Sequence, residues 1–213
     1  MSSPLSAERV ARRWLLAYET KSGQDIELTL GPPKTDDRGW VVQTTFAKVD
    51  GAPVGFLKFG YIPKAEFDRL YPTAVHYVGV IEGRLLDGVP RTPTGMRDAM
   101  LKVLGFSPTD PITTRKLANL FEKKYGESYR SFVDYHVDKP QIEYVKSEVL
   151  RQGVGIALYE YTARVLAKRG LSLWSSLLQE PEAKAVWAAM VARGYPVRSV
   201  PSPWHGTRLS LTY

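Results

Sequence analysis

The chain has 213 residues, 44% of them apolar, carries a formal net charge of +7 and contains no cysteine. That length supports one substantial core, or one core with a large insertion, and no apolar run approaches the roughly 18 residues that a membrane helix requires. Without cysteine there are no disulfides, no thiolate metal sites and no cysteine nucleophile, and nothing calls for an oxidising compartment, so a cytoplasmic protein with no membrane span is expected.

In the first segment Val10, Trp14, Ala17 and Tyr18 fall on one helical face and Arg9, Arg12 and Arg13 elsewhere, the spacing of a helix docked on a core rather than of a secretory leader. Alternation in DIELTL (25–30) predicts a strand that stops at the turn-rich GPPKTDDRG. Two β-rich runs, WVVQTTFAKV and VGFLKFGYI, are joined by DGAP, and Asp50-Gly51 is a strong hairpin signal. AVHYVGVI (74–81) reads as a further extended run, so the front half is expected to be an antiparallel meander.

Between about residues 86 and 140 the texture becomes helical. PTGMRDAMLKVLGF and TTRKLANLFEKKYG carry helical periodicity and are separated by the breaker SPTDP, which predicts a helical insertion. A strand, QIEYVKS (141–147), follows, then a glycine turn and a helix whose stripe is Val154, Leu158, Tyr161 and Val165, ended by Gly170. LSLWSS reads as a strand. Pro181 then opens a helix with Ala183, Val186, Trp187 and Met190 on one face, and YPVRSV and TRLSLTY supply extended pieces.

The turn Arg151-Gln152-Gly153-Val154-Gly155 poses a question, because glycine at the start of a helix costs roughly 1 kcal/mol against alanine. Either the glycines serve a tight strand-to-helix connection, or they let an anion approach the unpaired first-turn amides, which point at one spot near the positive end of the helix dipole. In the second case Arg151 adds a mobile charge at the rim. The turn is not a dinucleotide fingerprint, whose third glycine would fall on Leu158, and it lacks the ending of a P-loop. His76, His136 and His205 are widely separated, so no metal site is expected, and no nucleophile elbow is present.

In context, the stretch YVKSEVLRQGVGIALYEY, the strand LSLWSS and the helix EPEAKAVWAAMVARGY resemble the cofactor-binding half of the GNAT-type N-acetyltransferase superfamily, over about residues 141–195. The family motif Q/R-x-x-G-x-G/A reads Leu150-Arg151-Gln152-Gly153-Val154-Gly155, with both glycines matched and Leu150 where Gln or Arg is preferred. The resemblance implies a single α+β sandwich domain over 1–213: a mixed, mostly antiparallel twisted sheet splayed at the cofactor site and flanked by helices, with the insertion at about 86–140 shaping the acceptor pocket. It implies an acyltransferase that takes an acetyl group from acetyl-CoA to an amine by direct attack on the thioester. The pyrophosphate would sit on the amides of Gln152, Gly153, Val154, Gly155 and Ile156, and the pantetheine arm would pair with backbone near Val145 and Ser147, with the acyl carbonyl bonded near Val145.

The attacking amine must lose a proton, and Glu143, on the strand ahead of the cofactor stretch, is the expected base; otherwise it is an exposed strand residue. Many family members protonate the leaving thiolate with a tyrosine on the last core helix. Here Trp187 stands at that position and cannot do so, which leaves Ser176, Tyr195 or water.

The surplus positive charge supports two other outcomes. A nucleic acid bound by Arg115, Lys116, Lys123, Lys124 and Arg130, or an acyltransferase directed at a nucleic acid, would use it. These basic residues alternate with apolar ones, the pattern of solvated helix faces. A scaffold that binds without turnover would account for Leu150 and Trp187.

Overall fold

The computed structural model describes residues 18–71, 73–81, 92–148 and 152–213. The expected N-terminal helix lies outside them except for Tyr18, which stands in a short strand, Tyr18–Glu19 (β1). The chain reverses through Thr20–Gln24, where the Thr20 N–H donates to the Gln24 carbonyl at 2.8 Å, and returns as Asp25–Leu30 (β2). Lys34–Thr35 (β3) is followed by two long strands, Val41–Val49 (β4) and Ala52–Tyr61 (β5). Asp50 and Gly51 between them both hold positive φ, 52° and 77°, as the two-residue hairpin turn that matches strand twist demands.

Four helices follow: Lys64–Leu70 (α1), Ala74–Ile81 (α2), Pro93–Leu104 (α3) and Thr114–His136 (α4). Threonines start the last two. Thr92 accepts from the Gly95 N–H at 3.1 Å with Pro93 at the first helical position, and Thr113 accepts from the Lys116 N–H at 3.3 Å.

Residues 74–81 are thus a helix and not the extended run their β-branched composition suggests. A short apolar octet fits either period, and packing decides it: Val75, Tyr77 and Val78 are buried, and the Tyr77 ring lies 4.5 Å from that of Phe132. The helical stretch therefore begins at Lys64, ahead of the expected insertion. α4 also runs past Gly126 to His136, because Tyr129 and Phe132 in its later turns join the same ring cluster with Phe67 and Tyr77.

The back half alternates as the sequence indicates: Gln141–Ser147 (β6), Val154–Ala167 (α5), Leu173–Trp174 (β7), Pro181–Ala192 (α6), Val197–Ser202 (β8) and Gly206–Leu211 (β9). The described residues divide into two compact units. One holds residues 36–39 and 62–138, with α1 to α4 around the ring cluster; the other holds residues 18–35, 40–61 and 139–213.

The second unit is a mixed α+β fold on an open, mostly antiparallel sheet, ordered β1-β2-β4-β5-β6-β7-β9-β8, with β3 paired to β4. Among the described strands of this sheet, β6 and β7 form the parallel neighbours. α5 lies across β2, β4, β5, β6 and β7, and α6 contacts α5 and β8. Leu57, Phe59, Ile142, Leu158, Leu166, Leu173, Trp187 and Met190 form the centre of the core.

The face that α5 buries differs from the expected stripe. Tyr161 and Val165 are only half-buried, while Ala157, Tyr159, Thr162, Ala163 and Leu166 are buried with Val154 and Leu158. Sheet and α6 both cover this helix, so the buried arc is wider than one stripe and includes a polar residue. Thr162 is accommodated by hydrogen bonds: its hydroxyl donates to the Leu158 carbonyl at 2.7 Å, so the Thr45 hydroxyl, 2.8 Å away, donates to it.

Two stability predictions follow from these cores. Thr162→Val strands the buried Thr45 hydroxyl and should cost about 1–3 kcal/mol in urea unfolding, whereas Thr45→Val with Thr162→Val should cost less than the two single changes summed. In the helical unit, burial, helped by the neighbouring Tyr71, pushes the Tyr77 phenol up to about 12 from 10.0. The native phenol holds its proton more tightly than the unfolded chain does. Its contribution is therefore complete below pH 10 and declines as pH rises through 10 toward 12; the urea midpoint should fall above about pH 10, and less steeply in Tyr77→Phe.

Candidate active site

The site begins where two neighbouring strands part. β6 pairs with β5 along its length, from Gly60↔Gln141 to Gly55↔Ser147. On its other side it meets β7 at Gln141↔Trp174 alone, with the Trp174 N–H donating to the Pro140 carbonyl at 2.7 Å. One residue later the chain has left β6 and keeps only to β9, with which Leu173 and Trp174 already pair: the Ser175 N–H donates to Leu209 O at 2.8 Å, and the Leu209 N–H donates to Ser175 Oγ at 3.1 Å. From Ile142 onward this edge of β6 is bordered by a cavity of about 640 Å³ in place of a strand.

Glu143 stands at a β-bulge beside the cavity. The register passes from Lys58↔Tyr144 to Phe59↔Ile142, which leaves Glu143 as the extra residue, and such a bulge re-aims a side chain. Its Oε1 accepts from Trp40 Nε1 at 2.9 Å and its Oε2 lies 2.8 Å from Lys58 Nζ. Gly60 makes room for this arrangement, since a Cβ there would fall on Glu143 Oε1 and 2.6 Å from Trp40 Nε1. The carboxylate is thereby fixed in direction, and each oxygen keeps a second lone pair for an incoming proton donor.

At one end of the cavity lies the start of α5. Gly153 is its N-cap at φ 91°, a left-handed conformation that side chains adopt only with strain, and no side chain caps the helix. The Gly153 carbonyl accepts the first helical bond from Ala157 at 3.0 Å, so the amides of Val154, Gly155 and Ile156 lie ahead of the helical ladder. A left-handed residue followed by a helical one gathers successive N–H groups into an anion-binding concavity. Gly155 is not required by sterics: a Cβ there would make an ordinary 3.5 Å contact with Val186.

Glu143, Val145, Ser147, Gly153, Val154, Gly155, Ile156 and Ser176 all line the one cavity. Gln152 is half-buried beside it and does not line it, and Arg151 lies outside the described residues. The cavity also takes in Lys21, from the turn between β1 and β2, whose N–H donates to Gln152 O at 3.2 Å; no ion pair joins its ammonium to another described residue. Nothing in the sequence connects Lys21 with the glycine turn, because the two meet only through the position of β1 at the sheet edge.

The inner wall is aromatic and largely apolar. Trp187 is buried against Tyr159, ring centroids 5.3 Å apart and nearly perpendicular, and both line the cavity. Burial raises the Tyr159 phenol above its ordinary value, so it remains a donor at neutral pH. Tyr195, one of the expected proton donors, is not on this wall; its hydroxyl donates to Glu160 Oε2 at 2.9 Å. Ser176 is therefore the expected donor that does line the cavity. No protein-family model, no curated protein and no solved structure matches this chain.

Chemically, the cavity offers amide donors for an anion, a lysine beside them and a strand edge for a linear polar chain, with Glu143 among its lining residues. The two glycines at its end should respond differently to alanine. Gly153→Ala forces a side chain into a left-handed conformation and should cost about 1–2 kcal/mol, whereas Gly155→Ala should leave the free protein as stable or up to about 1 kcal/mol more so, measured by thermal unfolding of both variants.

Proposed function

We propose that the protein is an N-acyltransferase that moves an acetyl or related acyl group from acetyl-CoA to an amine. One observation carries this reading: the uncapped helix start, the free edge of β6 and Glu143 at its bulge line a single cavity. A diphosphate suits the amides of Val154 to Ile156 with Lys21 beside them, and an extended arm suits the β6 edge near Val145 and Ser147. The sequence resemblance to the GNAT-type superfamily points the same way.

In the reaction, the acceptor nitrogen attacks the thioester carbonyl carbon, a C–N bond forms and the C–S bond breaks. Glu143, directly or through one water, takes the proton that the nitrogen loses, and Ser176 or water returns one to the departing sulfur. Backbone N–H groups of β6 near Val145 stabilise the oxyanion. None of this chemistry needs a metal or an oxidising compartment, and a cytoplasmic enzyme is the fitting assignment. No helix among the described residues is long and apolar enough to cross a membrane.

Acetyl-CoA at a hundredfold excess over its dissociation constant should stabilise the folded protein by about 2.7 kcal/mol. Because the chain has no thiol of its own, a thiol reagent will report free CoA alone when amines are offered. Glu143→Gln should keep the thermal shift and lower CoA release by about 10²–10⁴-fold. The proposal fails if the wild-type protein gives neither a shift nor CoA release; binding of nucleic acid that weakens steeply with salt would instead support the polyanion alternative.

A further inference from the structure

α5 covers one face of the sheet, where Thr45, Ala47, Leu57, Phe59 and Ile142 are buried. The opposite face of the same strands carries one triplet three times, aromatic-x-lysine: Phe46-Ala47-Lys48 in β4, Phe56-Leu57-Lys58 in β5 and Tyr144-Val145-Lys146 in β6. Strand side chains alternate, so the middle residue of each triplet packs toward the core and its two ends point away from α5. The register brings the triplets together. Phe46 stands opposite Phe56, Phe56 opposite Lys146, and Lys58 opposite Tyr144.

These rings are not core. Phe46 is 45% exposed and Tyr144 54%, and the half-buried ring of Phe56 lies on the strand between them, its centroid 5.6 Å from that of Tyr144. Gly31 lets the Phe46 ring lie low against the sheet, since a Cβ there would come within 3.2 Å of the ring. The lysines are largely available. Lys48 has no ion-pair partner among the described residues, although Glu27 stands across from it, and neither has Lys34, which the register sets on this side opposite Val42. Lys146 meets Glu148 at 3.3 Å, an exposed pair worth little in water, while Lys58 is held by Glu143 at 2.8 Å.

Exposed rings on neighbouring strands, interleaved with lysines, match one kind of partner. A single-stranded nucleic acid presents unpaired base faces to stack on the rings and phosphates to the ammonium groups, and such stacking accepts any base on either sugar. A duplex keeps its base faces to itself. A second copy of this chain matches poorly, because each copy carries a net charge of +7 and the contact would set lysines against lysines.

We infer that Phe46, Phe56 and Tyr144 form a stacking platform for a single-stranded nucleic acid, whose phosphates are met by Lys34, Lys48 and Lys146. The inference does not rest on the acyl-CoA reading: Phe46, Phe56, Lys34 and Lys48 lie outside the cavity lining, and Tyr144 and Lys146 border both. It also differs from a nucleic acid held by the basic residues of α4.

The test is fluorescence anisotropy of a labelled oligothymidine strand. Wild-type protein should bind it with an affinity that falls as salt rises. Phe46→Leu and Tyr144→Leu keep apolar bulk and lose the π face, and each should weaken binding about fivefold or more, whereas Phe46→Tyr should bind as the wild type does. Lys48→Gln should lower the slope of log affinity against log salt by about 0.7. Phe46 and Tyr144 are exposed, so these variants should melt close to the wild type, and Phe46→Leu should keep whatever thermal shift acetyl-CoA gives the wild type. Wild-type protein that does not bind the strand overturns the inference, as does unchanged binding in both leucine variants. A loss that appears instead in Lys123→Gln with Lys124→Gln moves the contact to α4 and overturns it too. Sedimentation showing a dimer that Phe46→Leu dissolves overturns it by giving the face to a second copy. None of these outcomes bears on the acyltransferase reading, which the acetyl-CoA shift and CoA release decide separately.

Discussion

A single residue pair, Gln141 with Trp174, governs the architecture of the sheet unit. It is the one point at which β6 and β7 pair, and beyond it Ser175 stays with β9 alone through two hydrogen bonds with Leu209. Had the parallel pairing continued, the edge of β6 would be consumed by the ladder and the interior would close. The parting leaves backbone groups and a space that α5 and α6 border without filling. Such an opening inside a sheet is tolerable because β6 remains fully paired to β5 on its other side.

The same parting determines what lines the opening. Val145 and Ser147 present the strand they occupy, Gly153 a left-handed backbone conformation, and Val154 to Ile156 the amides that lie ahead of the helical ladder. Glu143 stands at a bulge in the strand and is held by Trp40 and Lys58. An opening lined so heavily by backbone tolerates wide variation in side chains.

What could be read from the sequence divides along physical lines. The limits of β6, the hairpin at Asp50-Gly51 and the helix begun by Pro181 follow from local period and turn chemistry, and all three were legible. The gathering of Glu143, Ser147, Gly155 and Ser176 was legible in part, since a strand, a turn and a helix in succession bring their ends together. The bulge at Glu143 was not, because it is a property of the pairing with β5, more than eighty residues away. Lys21 escaped because its meeting with the glycine turn is likewise long-range in sequence. A helix at 74–81 and a buried Thr162 escaped because packing overrode composition at one and a pair of hydrogen bonds answered polarity at the other.

The hydrogen bond between Lys21 and Gln152 joins positions about 130 residues apart, and this has a bearing on how the protein is made. A chain still emerging from the ribosome can complete the hairpin of β4 and β5 early, since the pairing of these two strands is local. The rim that brings a lysine to the glycine turn must wait until that turn has left the exit tunnel, so this corner of the cavity closes only after the hairpin has formed.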